Sequence, residues 1–155
     1  RPYILYYHVI NKPYVWQYAK KLQKITGYDI VSLNYSLKEP IVRGVKTVYG
    51  ASPEKFVGLF RYAQIICTTS FHGCVFSIIY HKPFFAGLPD NKDNTKDRSS
   101  RVISLLSILD LNERLISRES KIKRDLLFLD YNRTEQLLTE KRKDSINWLK
   151  MALEA

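Results

Sequence analysis

The sequence predicts an α/β fold: a Rossmann-like three-layer αβα domain around a parallel sheet of about five strands, in the order 3-2-1-4-5, with a C-terminal helix. Three observations predict it. Runs rich in β-formers alternate with stretches of helical periodicity, and strand–helix–strand repeats return to one sheet by right-handed crossovers. The run "QIICTTS" (Gln64–Ser70) has a continuous apolar centre, the pattern of a strand covered on both faces. The chain has 155 residues, 45% of them hydrophobic, which fits one domain with one ordinary core.

The elements follow in order. "YILYYHV" (Tyr3–Val9) is a buried strand. In "NKPYVWQYAKKLQKITG", Val15, Tyr18, Ala19, Leu22 and Ile25 recur near helical spacing, with Pro13 suited to the first turn and Gly27 to the stop. "YDIVSLN" (Tyr28–Asn34) is the second strand, and Tyr35–Gly44 is a loop broken by Pro40 and Gly44. "VKTVYG" is a short third strand. "SPEKFVGLFRYA" opens with the clearest helix start in the chain: Ser52 caps, Pro53 takes the first helical position, and Glu54 suits the positive end of the dipole. "QIICTTS" is the fourth strand, "FHGCVFSIIYHK" an unusually apolar helix, and "PFFAG" the fifth strand with proline at its first residue. Leu88–Ser100 reads as a polar, basic loop. Arg101–Leu111 reads as a helix with Val102, Leu105, Leu106 and Leu109 on one face. Asp130–Ala155 reads as a long terminal helix packing through Leu137, Leu138, Ile146, Leu149 and Leu153.

The net charge of +10 favours anionic partners: phosphorylated small molecules, nucleic acid or an anionic membrane surface. Much of it is dispersed in mixed runs such as "SRESKIKRD" (Ser117–Asp125) and "TEKRKD" (Thr139–Asp144), which read as solvated helix faces. No aromatic–basic RNA-binding signature is present, so nucleic acid is not expected. No apolar run approaches the roughly 18 residues a membrane span requires. Cys67 and Cys74 lack metal or disulfide-framework spacing and read as reduced thiols of a cytoplasmic protein. No His, Cys or carboxylate cluster has metal-ligand spacing, so no metal is expected.

In open parallel sheets, ligands sit beyond the carboxyl ends of the strands, where strand order reverses. Here the reversal falls between strands one and four. Two loops therefore flank a crevice: the one after His8 and the one carrying Thr68 to Gly73. The latter begins "TTSFHGCVF" (Thr68–Phe76). A strand end followed by a helix start exposes backbone N–H groups that favour an anion. Thr68, Thr69 and Ser70 add hydroxyl donors, Gly73 leaves room for a close ligand, and His72 adds a titratable group. His8 ends strand one beside the same crevice, and Arg98 and Arg101 follow strand five, within reach of an anion there. The same residues also describe a hydrogen-bonded turn with an incidental histidine, and taken alone they leave both readings open. His81, where a helix meets the next strand, reads as structural. Cys67 is core. Cys74 packs in the first helical turn, where the dipole would lower a thiol's pKa. No G-x-S-x-G elbow is present, which argues against a hydrolase triad.

The run "ASPEKFVGLFRYAQIICTTSFHGCVFSIIYHKPFFA" (Ala51–Ala86) resembles the hallmark region of the polysaccharide pyruvyl transferase family. The shared pattern is a Pro-Glu-x-Phe helix, an apolar strand, Thr-x-Ser-Phe-His-Gly, an apolar helix and Lys-Pro-Phe. "SSRVISLLSILDL" is similar to the Arg-containing helix that follows it, so the resemblance covers roughly residues 45 to 115. It implies two Rossmann-like halves, similar to GT-B glycosyltransferases. This chain would be the C-terminal, donor-binding half, and the N-terminal half that helps bind the acceptor would lie outside it. The abrupt start of the chain in a strand agrees with a fragment, inactive as an enzyme alone. The implied donor is phosphoenolpyruvate, with no separate cofactor. The implied acceptor is a sugar or glycan-lipid, and the product is a pyruvate ketal. The implied setting is bacterial capsule, exopolysaccharide or cell-wall polymer synthesis, in the cytoplasm with room for a peripheral place on the inner membrane surface.

By resemblance His72 is the catalytic residue, and the Thr68–Gly73 backbone holds an anionic group. Some members carry Arg-Leu-His-Gly where this chain has Ser70-Phe71-His72-Gly73. Ser70 lacks that arginine's charge, so another cation must supply it: Arg98, Arg101 or a residue of the other half. The competing enzyme reading is the donor half of a nucleotide-sugar glycosyltransferase. It would need a ribose-binding carboxylate near strand five, for which Asp90 and Asp93 are available without recognisable spacing. A third reading, a basic interaction domain, predicts no saturable binding of small anions.

Overall fold

The structure, a computed structural model, describes residues 1–34, 43–88 and 96–154, with side chains from residue 99 onward in the last stretch. All its strand pairs are parallel. The sheet order is β3-β2-β1-β4-β5-β6, with β1 Tyr3–Tyr7, β2 Asp29–Asn34, β3 Lys46–Tyr49, β4 Ile65–Thr68, β5 Phe84–Gly87 and β6 Leu115–Ile116. The predicted order of the first five strands stands. The sixth is an addition of two residues, pairing Leu115 with Ala86 and Ile116 with Gly87. Two residues are too few to carry a period, so the sequence offered no sign of it.

Strand alternation divides the core into two layers. On one face of β1, Leu5 and Tyr7 join Leu33, Ile66 and Phe84 beneath helices α2 (Pro53–Tyr62), α3 (Phe71–Ile79) and α4 (Lys96–Ile108). On the other, Ile4 and Tyr6 join Ile30, Phe85 and Ile116 beneath α1 (Pro13–Thr26). The helix punctuation works as read. Gly27 closes α1 at φ 73°, donating its N–H to the Gln23 carbonyl at 2.9 Å. The Ser52 hydroxyl accepts the Lys55 N–H at 3.3 Å to open α2.

Three expectations change. First, α4 begins at Lys96, within the stretch read as a loop. Its first turn is polar and carries no apolar period, and residues 89–95 lie outside the described residues, as do 35–42 of the earlier loop. It stops at Ile108 because Asp110 turns left-handed (φ 57°) and the Leu111 N–H folds back onto the Leu106 carbonyl at 2.7 Å. Second, "SRESKIKRD" forms no α-helix. Ser117 donates its backbone N–H to Ser120 Oγ at 2.8 Å and takes the Glu119 N–H on its own Oγ at 3.3 Å, a local turn that displaces helical pairing. Third, of the five residues expected to pack the terminal helix α5 (Asn132–Glu154), Leu137 and Leu138 do so. Ile146, Leu149 and Leu153 are 53%, 51% and 79% exposed, because α5 runs past the edge of the core before reaching them.

One buried charge had no sequence signal. Arg114, 1% exposed, donates Nη1 to the Leu126 carbonyl at 2.6 Å and Nη2 to the Phe128 carbonyl at 3.3 Å, and pairs with Glu113 at 3.0 Å. It fastens the segment after β6 against the sheet edge. Among the described residues no helix is long and apolar enough to cross a membrane.

Candidate functional site

The order reversal lies between β1 and β4, and the backbone closes it tightly. Thr69 donates its N–H to the Tyr7 carbonyl at 3.3 Å and its hydroxyl to the Ile10 carbonyl at 2.9 Å. The second bond holds the loop after β1 against the start of α3. Thr68 is fully buried, and its Oγ1 accepts the Ser70 N–H at 3.0 Å. Helical pairing begins with the Cys74 N–H on the Ser70 carbonyl at 3.1 Å, so the N–H groups of Phe71, His72 and Gly73 have no intrahelical acceptor.

A cavity of about 220 Å³ opens there, lined by Val9, Ile10, Thr69, Ser70, Phe71, His72 and Arg101. Of the residues singled out from sequence, the structure brings Thr69, Ser70, His72 and Arg101 together in it. Ser70 is the N-cap of α3, but its side chain makes no capping bond. His72 is exposed, and its ring meets Phe71 edge-on at 5.8 Å. Arg101 reaches the cavity from α4, its guanidinium carbon 5.4 Å from the centre of the Phe71 ring.

The others sit elsewhere. Thr68 lies beneath the turn with its hydroxyl engaged within it. Gly73 is buried, and a Cβ there would run into Oγ1 and Cβ of Thr68. Its missing side chain lets α3 close on β4 and does not open space toward the crevice. His8 is 4% exposed and packs its ring on Tyr6 at 4.8 Å, outside the lining, while its neighbours Val9 and Ile10 form the wall. The side chain of Arg98 lies outside the described residues, as do Asp90 and Asp93.

Burial decides the thiols. It pushes Cys67 up, and it pushes Cys74 up to about 12, outweighing the opposing pull of its backbone hydrogen bond. Cys74 is packed as the sequence suggested, and burial outweighs the pull of the helix start on its thiol. Among the described residues no three His, Cys, Asp or Glu side chains gather where they could hold a metal ion.

Sequence reasoning passed over Phe71, Val9 and Ile10. Phe71 could have been found from its position, at the first helical residue between Ser70 and His72. Nothing local marks Val9 and Ile10 as a wall. A larger cavity of about 610 Å³ opens beside Tyr3, Asp29 and Lys46, at the amino ends of β1, β2 and β3. It is the wrong end of the sheet for the helix N-termini and switch point that recruit ligands in this architecture.

Comparison with protein families matches the polysaccharide pyruvyl transferase family over residues 1–91. The match takes in β1 to β5 and all of "TTSFHGCVF", starting earlier than the hallmark stretch and ending before α4. Neither the curated proteins nor the solved structures searched contain a match to the chain.

Proposed function

The chain belongs to the polysaccharide pyruvyl transferase family, and from that premise we propose that it binds phosphoenolpyruvate in the crevice of Ser70, His72 and Arg101 and serves pyruvyl transfer to a sugar. The observation that carries this reading is the meeting of a histidine, an arginine and the open N-terminus of α3 around about 220 Å³. Phosphoenolpyruvate brings a phosphate and a carboxylate. The free N–H groups of Phe71, His72 and Gly73 and the guanidinium of Arg101 are donors of the required kind. Arg101 takes the place of the positive charge that Ser70 lacks.

His72 acts as general acid. Its proton forms the new C–H bond at C3 of the donor, leaving C2 electrophilic. A sugar hydroxyl forms a C–O bond to C2 and gives its proton back to His72. A second hydroxyl then displaces the phosphate, which leaves with the electrons of its C–O bond and takes up that hydroxyl's proton, and the product is the cyclic ketal plus inorganic phosphate. The acceptor is a sugar or glycan-lipid of cell-surface polysaccharide synthesis, handled on the cytoplasmic side. The chain is the donor half of a two-half enzyme. The exposed apolar stripe of Ile146, Leu149 and Leu153 on α5 supports that reading, since such a stripe calls for a covering surface.

The test is a calorimetric titration of the full-length protein with phosphoenolpyruvate and with nucleotide sugars, repeated for His72→Ala. Saturable binding of phosphoenolpyruvate that weakens in the variant is expected. Binding of a nucleotide sugar alone, or equal binding of phosphoenolpyruvate by both proteins, would overturn the assignment.

A further inference from the structure

Arg101 lies on the exposed side of α4, on a long side chain with considerable rotamer entropy to lose. Among the described residues, the group that holds its guanidinium is Phe71, whose ring centre lies 5.4 Å from the guanidinium carbon. That is inside the roughly 6 Å reach of a cation–π contact. The Phe71 ring is itself fixed. It starts α3, packs partly buried against the core cluster of Leu5 and Phe84, and meets the His72 ring edge-on at 79°. An aromatic face restrains a guanidinium without neutralising it, as a carboxylate would. The cation stays available to an incoming anion.

We propose that Phe71 is a positioning residue whose ring holds the Arg101 guanidinium at the crevice, beside His72, for the anionic group of the donor. This rests on the reading of Arg101 as the donor's cation. It also explains why an aromatic residue stands between Ser70 and His72: the charge missing at Ser70 arrives from another helix and needs a platform there.

The experiment is a double-mutant cycle on the full-length protein, read as phosphoenolpyruvate affinity by calorimetry with thermal unfolding as a fold control. The variants are Phe71→Leu, Phe71→Tyr, Arg101→Gln and the Leu/Gln double. Leucine keeps apolar bulk and loses the ring face; tyrosine keeps both. Arg101→Gln should weaken binding about tenfold or more, as for loss of a charged hydrogen bond. Phe71→Leu should weaken it about two- to fivefold, the scale of an exposed cation–π contact. Phe71→Tyr should bind as the parent does, and Phe71→Leu should add nothing once Arg101 is gone. Should the leucine variant not fold, Phe71→Met takes its place in the cycle. The positioning role is overturned if the parent and Arg101→Gln behave as stated while the leucine variant binds normally, tyrosine fails to rescue, or the leucine loss persists without Arg101. Normal binding by Arg101→Gln, or none by the parent, overturns instead the reading on which the role rests, and the role with it.

Discussion

Helix α3 carries a histidine at each end, and the two sit in opposite circumstances. At its start, His72 stands exposed beside a cavity, its ring edge-on to Phe71, with Arg101 on the same lining. Just past its end, His81 takes a left-handed turn (φ 50°), stacks on Tyr131 at 4.6 Å and 16°, and meets Glu135 Oε1 through Nε2 at 2.9 Å. Tyr131 in turn donates its hydroxyl to the carbonyls of Ser77 at 3.2 Å and Lys82 at 2.8 Å. One histidine is exposed at a cavity's edge. The other uses its ring to tie α5 to the junction of α3 and β5. Residue type alone says little about role, and the surrounding partners say most of it.

The widest separation should appear in catalysis. His72→Gln removes the proposed proton donor and should cut the rate of pyruvyl transfer by about 10²- to 10⁴-fold, the range of general acid–base catalysis. His81→Gln should leave the rate within about twofold, since nothing around it faces the crevice. The measurement is steady-state ketal formation by the full-length enzyme, with melting temperature followed alongside. Equal losses in the two variants would erase the distinction between the two ends.

The middle of the first turn tests whether that end is built for close packing. Gly73→Ala places a Cβ against the buried Thr68 side chain. Overpacking of this kind costs about 1–3 kcal/mol, and α3 must lift from β4 to relieve it. Denaturant unfolding of the chain should record the loss. A loss below about 0.5 kcal/mol would mean that the glycine has another purpose.

How much of this could be read beforehand follows from what each signal needs. The strand order was legible because β1 to β5 alternate with helices, a pattern each element repeats in its own composition. The crevice was legible because "TTSFHGCVF" stands where β4 gives way to α3. The two residues of β6, the buried Arg114 and the outward stripe of α5 were not. Each depends on partners distant in sequence: Leu126 and Phe128 for the arginine, and the extent of the core for Ile146, Leu149 and Leu153. Hydrophobic periodicity marks a face without saying what covers it. The room expected at Gly73 for a ligand is taken by Thr68 for a related reason. A glycine beside a motif can serve a ligand or a neighbouring side chain, and only the position of Thr68 decides.

The smallest effect probes the far end of α3. The contact between His81 and Glu135 lies at the surface, with the two side chains 52% and 39% exposed. Water screens such a pair to about 0–1 kcal/mol. The Tyr131 hydroxyl is different, because it is buried and serves two carbonyls. Losing it should cost about 0.5–1.5 kcal/mol. Tyr131→Phe should therefore destabilise the chain more than Glu135→Gln does, although the hydroxyl is neutral and the carboxylate charged. The two variants also separate the stack from the bond, since phenylalanine keeps a ring beneath His81. Denaturant unfolding of both variants would decide the order. A larger loss for Glu135→Gln would place the anchor of α5 in the ion pair and make the His81 end electrostatic after all.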